Sequence, residues 1–253
     1  MGKVELSLVM PAYNNGHLVE EAINRVDTVV KQMGVDYELI VVDDGSVDDT
    51  RKKVADYANC NGHVKVVGYG RNMGKGYAVK TGFQYATGKA VIFIDSDLDI
   101  DPGQILRYFK ALKHGDIVIS AKWHPQSNVE IPFIRRFLSH AFNVLVRLLT
   151  GVRLKDTQTG LKAVRRKALE RVFSSLAVKR YAYDVELLAL ANLYGLSVVE
   201  LPVNVRVRGL FNPKNVWGMF VDLLGITYRL RVAEWYSRAM KRQQSKDIVS
   251  QNI

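Results

Sequence analysis

The feature that most constrains the fold is a regular alternation of short apolar runs and amphipathic segments in the first 120 residues. Five runs rich in β-branched residues predict strands at 5–10, 37–42, 63–67, 90–94 and 116–120. Apolar residues at helical spacing fill most of the intervals between these runs. This alternation predicts an α/β fold, with a doubly wound, mostly parallel sheet that helices cover on both faces.

The second half of the chain continues the pattern less regularly. A loop is predicted at 122–130, helices at 131–149 and 183–193, a turn and strand at 156–164, and a strand at 197–203. A long amphipathic helix is predicted at 216–238, and the polar tail begins at 241.

Charge is divided unevenly between the two halves. Residues 1–120 carry a net charge of −2 and residues 121–253 a net charge of +13, within a total of +11. A basic half indicates an anionic partner, either nucleic acid, a membrane surface or a phosphorylated substrate, unless it only keeps the protein soluble. No recognised nucleic-acid-binding motif is present, so we expect no nucleic-acid partner. The single cysteine, Cys60, excludes an internal disulfide.

Acidic residues follow the fourth predicted strand in the stretch VIFIDSDLD. Ligands of open parallel sheets bind outside the carboxyl ends of the strands. If the chain stays extended, Asp95, Asp97 and Asp99 point to one side, and such close carboxylates repel one another unless a cation lies among them. Their oxygens suit Mg²⁺ or Mn²⁺ that also holds substrate phosphates. Helix capping by Asp99 and Asp101 is the alternative, and it does not account for Asp95 or Asp97.

Two other strand ends carry residues that suit a nucleotide. Asp43 and Asp44, in IVVDDGSVDDT, could accept hydrogen bonds from a base or a ribose. Tyr13, in VMPAYNN, offers a ring for stacking on a base, or else is a core aromatic. The stretch GYGRNMGKGYA could bring backbone N–H groups to phosphates, although it lacks the dinucleotide and P-loop spacings.

Five motifs occur in the order found in inverting family 2 glycosyltransferases with the GT-A fold: PAYNN, VVDDGSVDDT, NMGKGYA, DSDLD and DTQTGLKAVRR. The last motif resembles the D-x-Q-x-G-[FL]-K segment of the dolichyl-phosphate mannose and glucose synthases, and the resemblance covers roughly residues 4–210. It implies metal-dependent transfer of a hexose, with inversion, from UDP-glucose or GDP-mannose to dolichyl or another polyprenyl phosphate. The alternative within the same fold is a hydroxyl acceptor in polysaccharide or glycan synthesis. That chemistry needs a general base, for which Asp184 is the candidate unless it only begins a helix.

The resemblance also implies roles for individual residues. Asp95 and Asp97 would hold the metal, with Asp99 standing where the mannose synthases often have Gln. The positions that match the nucleotide site are Pro11, Ala12, Tyr13, Asp43 and Asp44, with Lys75 nearby. Asp156 and Gln158 match the sugar and acceptor region, where with Asp97 they would be catalytic. Lys122 stands in place of a family arginine, and the candidates to hold phosphates are Arg135, Arg136, Arg206 and Arg208.

Two predicted helices, 131–149 and 216–238, combine aromatic and basic residues in the manner of helices that lie at a membrane surface. The alternative is ordinary packing of both helices against the sheet. No apolar run approaches the ~18 residues of a membrane-spanning helix, so we expect peripheral or monotopic attachment to the cytoplasmic face of a membrane. We divide the chain into a GT-A catalytic domain, 1–213, which includes the acceptor-side helix 131–149, and a C-terminal segment, 214–253.

Overall fold

The structure is a computed structural model that describes residues 4–158, 160–207, 213–238 and 240. The strands are β1 Leu6–Ala12, β2 Tyr37–Asp43, β3 Val64–Gly68, β4 Ala90–Ile94, β5 Ile117–Ala121, β6 Asn128–Glu130, β7 Leu161–Arg165, β8 Val198–Pro202 and β9 Asn204–Arg206. The α-helices are α1 Val19–Lys31, α2 Thr50–Cys60, α3 Lys75–Tyr85, α4 Ile105–Ala111, α5 Phe133–Thr150, α6 Arg166–Ser175, α7 Tyr183–Leu193 and α8 Pro213–Thr227.

The main sheet has the strand order β3-β2-β1-β4-β7-β5-β8. Its neighbouring strands are parallel, except that β7 runs antiparallel to both β4 and β5. The predicted doubly wound, mostly parallel sheet is therefore confirmed. Because β1, β2, β4 and β5 run in the same direction, their carboxyl ends meet at one edge of the sheet. This arrangement brings the acidic motif after β4 close to the motifs at the ends of β1 and β2 that are predicted to bind a nucleotide.

Apolar side chains cover both faces of this sheet. Helices α1, α2 and α4 pack on one face, through buried residues such as Ile23, Val54 and Tyr108. Helices α3 and α5 to α8 pack on the other face, through residues such as Phe83 and Leu187. Each large apolar side chain buried in this way contributes on the order of 1.5–3 kcal/mol to folding, which makes the two layers the main source of stability.

The predicted loop 122–130 contains a strand that the sequence did not indicate. Strand β6 pairs in parallel with β9 to form a small ribbon beside the main sheet. An isolated antiparallel bridge between Ile100 and Val205 joins this ribbon to the segment that follows the acidic motif. Helix α6 was not predicted from the sequence either.

The prediction of one continuous helix at 216–238 is wrong. Helix α8 ends at Thr227, a π-helical turn covers Tyr228–Val232, and Glu234 has a positive φ of 46°. This break returns the Tyr236 side chain to the core, where its hydroxyl donates to the buried carboxylate of Glu186. The described part of the C-terminal segment therefore shares its core with the sheet. None of the helices in the described ranges combines the length and apolarity that a membrane crossing requires.

Candidate active site

A cavity of about 800 Å³ opens at the carboxyl edge of the main sheet. Its acidic lining comes from Asp95, Asp97, Asp99 and Asp184, and its basic lining from Lys75, Lys122 and Arg135. Apolar side chains of α5, α8 and the β6–β9 ribbon complete the wall, among them Leu138, Phe142, Val205 and Met219. The cavity thus places carboxylates and cationic groups around one space that also has an apolar side.

The acidic motif turns instead of continuing β4. Leu98 has a positive φ of 56°, and the backbone N–H of Asp99 donates to Oδ1 of Asp97 at 3.0 Å. The segment is therefore not extended, although Asp95, Asp97 and Asp99 all line the cavity. The pKa of the Asp97 carboxyl is raised to about 6. The larger cause is its partial removal from water, and the smaller one is repulsion by the negative charges of Asp95 and Asp99.

Asp95 forms an ion pair with Lys75, whose Nζ lies 2.7 Å from Oδ2 of the carboxylate. Within the described residues, no group of three or more His, Cys, Asp or Glu side chains is arranged to hold a metal ion. The predicted set of Asp95, Asp97 and Asp99 is thus not assembled as a three-carboxylate site. A divalent cation that also binds substrate phosphates needs only one or two protein carboxylates, and Asp95 and Asp97 can supply these.

Lys75 begins α3, directly after Gly74, whose φ of +96° only glycine adopts readily. Burial alone would lower the pKa of the Lys75 ammonium, but the carboxylates of Asp95, Asp184 and Asp97 raise it instead. Lys75 is therefore charged at neutral pH and faces the cavity, while its place near the donor remains a prediction.

The acids at the end of β2 are buried, and they bind the protein's own backbone. Asp44 accepts hydrogen bonds from the Tyr69 hydroxyl at 2.7 Å and from the backbone N–H groups of Met73 and Gly74. Asp43 is also buried and accepts from the N–H of Ser46 at 3.1 Å. The predicted contact of Asp44 with a base or ribose remains a prediction, while in the structure this carboxylate fixes the shape of the glycine-rich loop.

The end of β1 lies beside the acidic motif. The carbonyl oxygen of Pro11 accepts a hydrogen bond from Oγ of Ser96 at 3.1 Å, and the side-chain amide of Asn15 donates to the Ser96 carbonyl at 2.8 Å. Ala12 is buried, whereas the ring of Tyr13 is 48% exposed and can stack on a planar group. These bonds hold the predicted base-binding strand end next to the acids of β4.

Lys122, Asp156 and Gln158 form one interlocked group. Asp156 is fully buried and accepts from the backbone N–H of Lys122 at 3.1 Å and of Gln158 at 3.0 Å. The Nζ of Lys122 lies 3.4 Å from Asp156 and donates to the Gln158 carbonyl at 2.7 Å. Lys122 and Gln158 face the cavity, while Asp156 holds both of them from behind and does not itself line the space.

The predicted phosphate-binding arginines separate in the structure. Arg135 lines the cavity, whereas the Arg136 guanidinium lies 5.7 Å from the ring centroid of Trp123. Arg206 is exposed and pairs with Glu130 at 2.8 Å, outside the cavity lining. Arg208 lies outside the described residues.

Three further residues at this site received no role from the sequence, although Gly160 and Lys162 belong to the D-x-Q-x-G-[FL]-K motif. Ser139 lies one helical turn after Arg135 on the cavity face of α5, and the i, i+4 spacing could have indicated it. Gly160 passes so close to Asp95 that an added Cβ would lie 2.3 Å from the carboxylate oxygen. Lys162 is buried in β7 and pairs with Asp184 at 2.9 Å, a partnership between distant segments that no local pattern shows.

Comparison with known proteins gives consistent findings. The family model described as Glycosyl transferase family 2 matches residues 7–173. A dolichyl-phosphate beta-glucosyltransferase of Mus musculus is 33% identical over 250 residues, which cover 91% of this chain and 77% of the relative. An undecaprenyl-phosphate 4-deoxy-4-formamido-L-arabinose transferase of Klebsiella pneumoniae is 29% identical and covers 89% of this chain and 66% of the relative.

The solved structures that resemble this one include glucosyl-3-phosphoglycerate synthase from Mycobacterium tuberculosis in complex with Mn²⁺, UDP-glucose and glycerol 3-phosphate. The match has a TM-score of 0.69 and 21% sequence identity, and it covers 89% of this chain and 79% of that protein. At this identity the likeness bears on the fold alone, and it confirms the predicted GT-A architecture.

Proposed function

Because the chain belongs to glycosyl transferase family 2, we propose that it transfers a hexose from a nucleotide-diphospho-sugar to a polyprenyl phosphate, with inversion at the anomeric carbon. The products would be the polyprenyl-phosphate hexose and a nucleoside diphosphate. One observation carries the proposal: a single cavity has acids on the side of β4 and cationic groups, Lys122 and Arg135, from β5 and α5. The acids suit a metal-bound diphosphate, and the cations suit a second, anionic reactant.

We propose UDP-glucose as the donor, ahead of GDP-mannose. The mouse relative is named a dolichyl-phosphate beta-glucosyltransferase, and the structural neighbour was solved with UDP-glucose. The nucleotide would lie along the ends of β1 and β2, with its base near Tyr13 and the loop that Asp44 shapes. Gln158, held by Asp156 at the cavity wall, would face the sugar.

A divalent cation, Mg²⁺ or Mn²⁺, would be held by Asp95 and Asp97. The donor set fits, because both are carboxylates that line one cavity, and a cation between them would relieve their mutual repulsion. When bound, such a cation stabilises the negative charge that develops on the leaving diphosphate. Lys75 adds a second positive group on the same side of the cavity.

Replacing Gly160 with Ala tests the position of Asp95. The new Cβ would lie 2.3 Å from Oδ2 and 2.9 Å from Cγ of Asp95, so the carboxylate must move. We expect binding of Mn²⁺ in the presence of UDP, measured by calorimetry, to weaken, and turnover to fall roughly a hundredfold. Gly62→Ala is the matched control, since nothing lies within 4 Å of its added Cβ. Unchanged Mn²⁺ affinity in Gly160→Ala would remove Asp95 from the metal site.

The acceptor would be a phosphate that is already anionic at neutral pH. Such an oxygen can attack the anomeric carbon directly, so the reaction needs no protein base. Lys122, Arg135 and the hydroxyl of Ser139 would bind this phosphate through charge-assisted and neutral hydrogen bonds. The hydroxyl-acceptor alternative is less well supported, because its candidate base, Asp184, is buried and paired with Lys162.

We also propose that the enzyme works at a membrane surface, on the cytoplasmic face. Helices α5 and α8 pack beside each other, and both expose large apolar side chains away from the core. These are Phe133, Ile134, Phe137 and Leu148 on α5, and Trp217, Val221 and Leu224 on α8. Arg135, Arg136 and Arg147 accompany them, and cationic groups attract anionic headgroups by about 1 kcal/mol each near the surface.

Replacing Phe137 with Ser tests this surface. Its side chain is 67% exposed, so the fold should tolerate the change. If Phe137 enters the lipid interface, we expect affinity for anionic phospholipid vesicles to fall roughly tenfold, as measured by co-sedimentation. Tyr85→Ser removes an exposed aromatic ring from α3 and should leave vesicle binding unchanged. Equal vesicle binding by all three proteins would rule out contact through this part of α5.

The proposed reaction can be tested with a matrix of donors and acceptors. Purified protein is incubated with Mn²⁺ and radiolabelled UDP-glucose or GDP-mannose, with either a short polyprenyl phosphate or the corresponding polyprenol as acceptor. We expect label from UDP-glucose to enter the organic phase only with the phosphate. Label transferred to the free alcohol, or only to a water-soluble glycan, would contradict the proposal and favour a hydroxyl acceptor.

A further inference from the structure

Lys162 lies in an unusual environment for a lysine. It is the second residue of β7, opposite Phe93 of β4 and Ile119 of β5, and only 1% of the residue is exposed. A buried ammonium group needs a compensating charge, and Nζ of Lys162 lies 2.9 Å from Oδ1 of Asp184. The ring of the adjacent Tyr183 is centred 6.0 Å from the same nitrogen. The lysine is thus positioned behind Asp184, on the side away from the cavity.

Asp184 connects this buried charge to the active site. It lies in the first turn of α7, where the helix dipole favours a negative charge, and it lines the cavity although it is almost fully buried. Within the described residues, its Oδ1 is at ion-pair distance from Lys162 but accepts no well-aligned hydrogen bond. Because Asp184 also lines the cavity and a carboxylate can accept several hydrogen bonds, it can accept a further donor from the cavity.

Carboxylates cluster around Lys75. Those of Asp95, Asp97, Asp99 and Asp184 all line the same cavity. Carboxylates so close together repel one another, and a divalent cation among them would relieve that repulsion.

Lys75, however, stands in the way of that cation. Its Nζ lies 2.7 Å from Oδ2 of Asp95, and a divalent cation bound to the same carboxylate would repel this ammonium group. Of the other carboxylates in the lining, Asp97 is a proposed ligand itself, whereas Asp184 lines the same cavity as Lys75 and is almost fully buried. Asp184 is thus the available partner for a displaced ammonium.

We propose that Lys75 moves from Asp95 to Asp184 when a divalent cation binds, so that Asp184, held by Lys162, is a positioning residue for metal loading. In the metal-free enzyme, Lys75 keeps the acids from repelling one another. In the metal-bound enzyme, Asp184 draws the ammonium off the ligand and keeps it in the cavity beside the donor phosphates. This inference rests on the proposed function in one respect, that a divalent cation binds Asp95.

The backbone geometry allows this exchange without a change in the fold. The start of α3 is fixed to the segment before α7, since the N–H of Tyr77 donates to the carbonyl of Lys179 at 3.0 Å. Added Cβ atoms at Gly74 and Gly76 would lie less than 3 Å from backbone atoms of that segment, so the two elements touch directly. In the proposed exchange, the flexible four-carbon stem of Lys75 rotates to redirect its ammonium.

A double-mutant cycle on Mn²⁺ binding tests the exchange. Affinity for Mn²⁺ is measured without nucleotide, so that contacts of Lys75 with donor phosphates do not contribute, by calorimetry and by the electron paramagnetic resonance signal of free Mn²⁺, in the wild type, Asp184→Asn, Lys75→Met and the double variant. We expect Asp184→Asn to weaken Mn²⁺ binding roughly tenfold, because Lys75 then stays on Asp95. Lys75→Met should bind Mn²⁺ at least as tightly as the wild type, and adding Asp184→Asn to it should have no further effect.

The outcomes separate the inference from simpler explanations. If Asp184→Asn weakens Mn²⁺ binding equally with and without Lys75, the carboxylate acts only through its general field, and the exchange is wrong. If Asp184→Asn binds Mn²⁺ like the wild type, it is wrong as well. If the wild type binds no Mn²⁺, the metal assignment of the proposed function fails, which is a different result.

Two further variants serve as controls for an effect on folding. Lys162→Met combined with Asp184→Asn removes both buried charges together, leaving no unpaired ion, and should show the same Lys75-dependent loss of Mn²⁺ affinity as Asp184→Asn. Glu170→Gln removes one carboxylate of an exposed pair on α6 and should change nothing. Full Mn²⁺ affinity in a folded Lys162→Met, Asp184→Asn protein would overturn the proposal.

Discussion

Replacement of Asp97 with Asn is expected to lower sugar transfer by at least about a hundredfold, because the change removes one formal charge from a divalent site at the leaving diphosphate. The fold should be unaffected. The hydrogen bond that Oδ1 of Asp97 accepts from the N–H of Asp99 can be accepted equally by the amide oxygen of Asn. The loss should therefore appear in turnover, while the thermal unfolding temperature stays the same or rises as repulsion among the acids is relieved.

Asp101→Asn is the matched control for this change. Asp101 belongs to the same loop, and its side chain accepts from the N–H of Gly103 at the start of the 3₁₀ turn Pro102–Gln104. It therefore caps that turn, does not line the cavity, and should affect turnover little. Near-native turnover of Asp97→Asn, sustained in the presence of EDTA, would show that the metal assignment is wrong.

The first half of the fold could be predicted because its signals are local. Strands β1 to β5 are short runs of β-branched residues, and the helices between them show apolar residues at helical spacing. A parallel sheet follows from their alternation, and its carboxyl edge follows from the sheet. This is why the sequence predicts that Asp95, Lys75 and Tyr13, which are distant along the chain, lie at one edge of the sheet.

The second half could not be predicted to the same degree because its structure depends on contacts between distant segments. The 156–164 stretch was recognised as turn and strand, but nothing within it shows that β7 enters antiparallel between β4 and β5. Strands β6 and β9 are three residues each, too short for a periodic pattern to emerge. The helix expected at 216–238 is interrupted because Tyr236 packs into the core, where its hydroxyl donates a hydrogen bond to Glu186.

The same distinction applies within the site. Sequence motifs predicted which acids lie near a ligand, but they did not show which of these acids accept hydrogen bonds from the protein itself. Asp44 and Asp156 both match ligand-binding motifs, and both are buried and bonded to the protein's own N–H groups. Hydrogen bonding of this kind is decided by the path of neighbouring loops, which spacing alone does not reveal. Such residues shape the site, while Lys122, Gln158 and Asp97 face it.

Arg135 and Arg136 are expected to have different functions, although they are adjacent in sequence. Arg135 lines the cavity with Ser139 and Lys122, whereas Arg136 lies over the Trp123 ring. Arg135→Ala should lower kcat/KM for the polyprenyl phosphate roughly thirtyfold or more, since a charge-assisted contact to phosphate is lost. That loss should be the same with a short, water-soluble acceptor as with an acceptor held in vesicles.

Arg136→Ala should show the opposite pattern. Transfer to the short acceptor should be close to that of the wild type, while binding to anionic vesicles weakens, together with transfer to an acceptor held in them. High salt should reproduce this defect in the wild type, because the attraction between exposed charges and anionic lipid is screened. Donor affinity, measured by calorimetry with UDP-glucose, should change in neither variant, because both arginines belong to α5 and not to the strand ends that face the nucleotide.

The two substitutions together decide how the enzyme is oriented. If the acceptor phosphate moves from the membrane into the cavity, Arg135, inside the cavity, must affect the transfer reaction. Arg136, outside the cavity, must affect binding to the membrane. The apolar side chains that α5 and α8 expose would then lie at the lipid surface, and the cavity would open beside them, toward the headgroups. A fall in donor affinity in Arg135→Ala, with transfer to the short acceptor preserved, would instead assign this arginine to the nucleotide diphosphate. The acceptor would then have to enter from another side, and α5 would not mark the membrane-facing mouth of the enzyme.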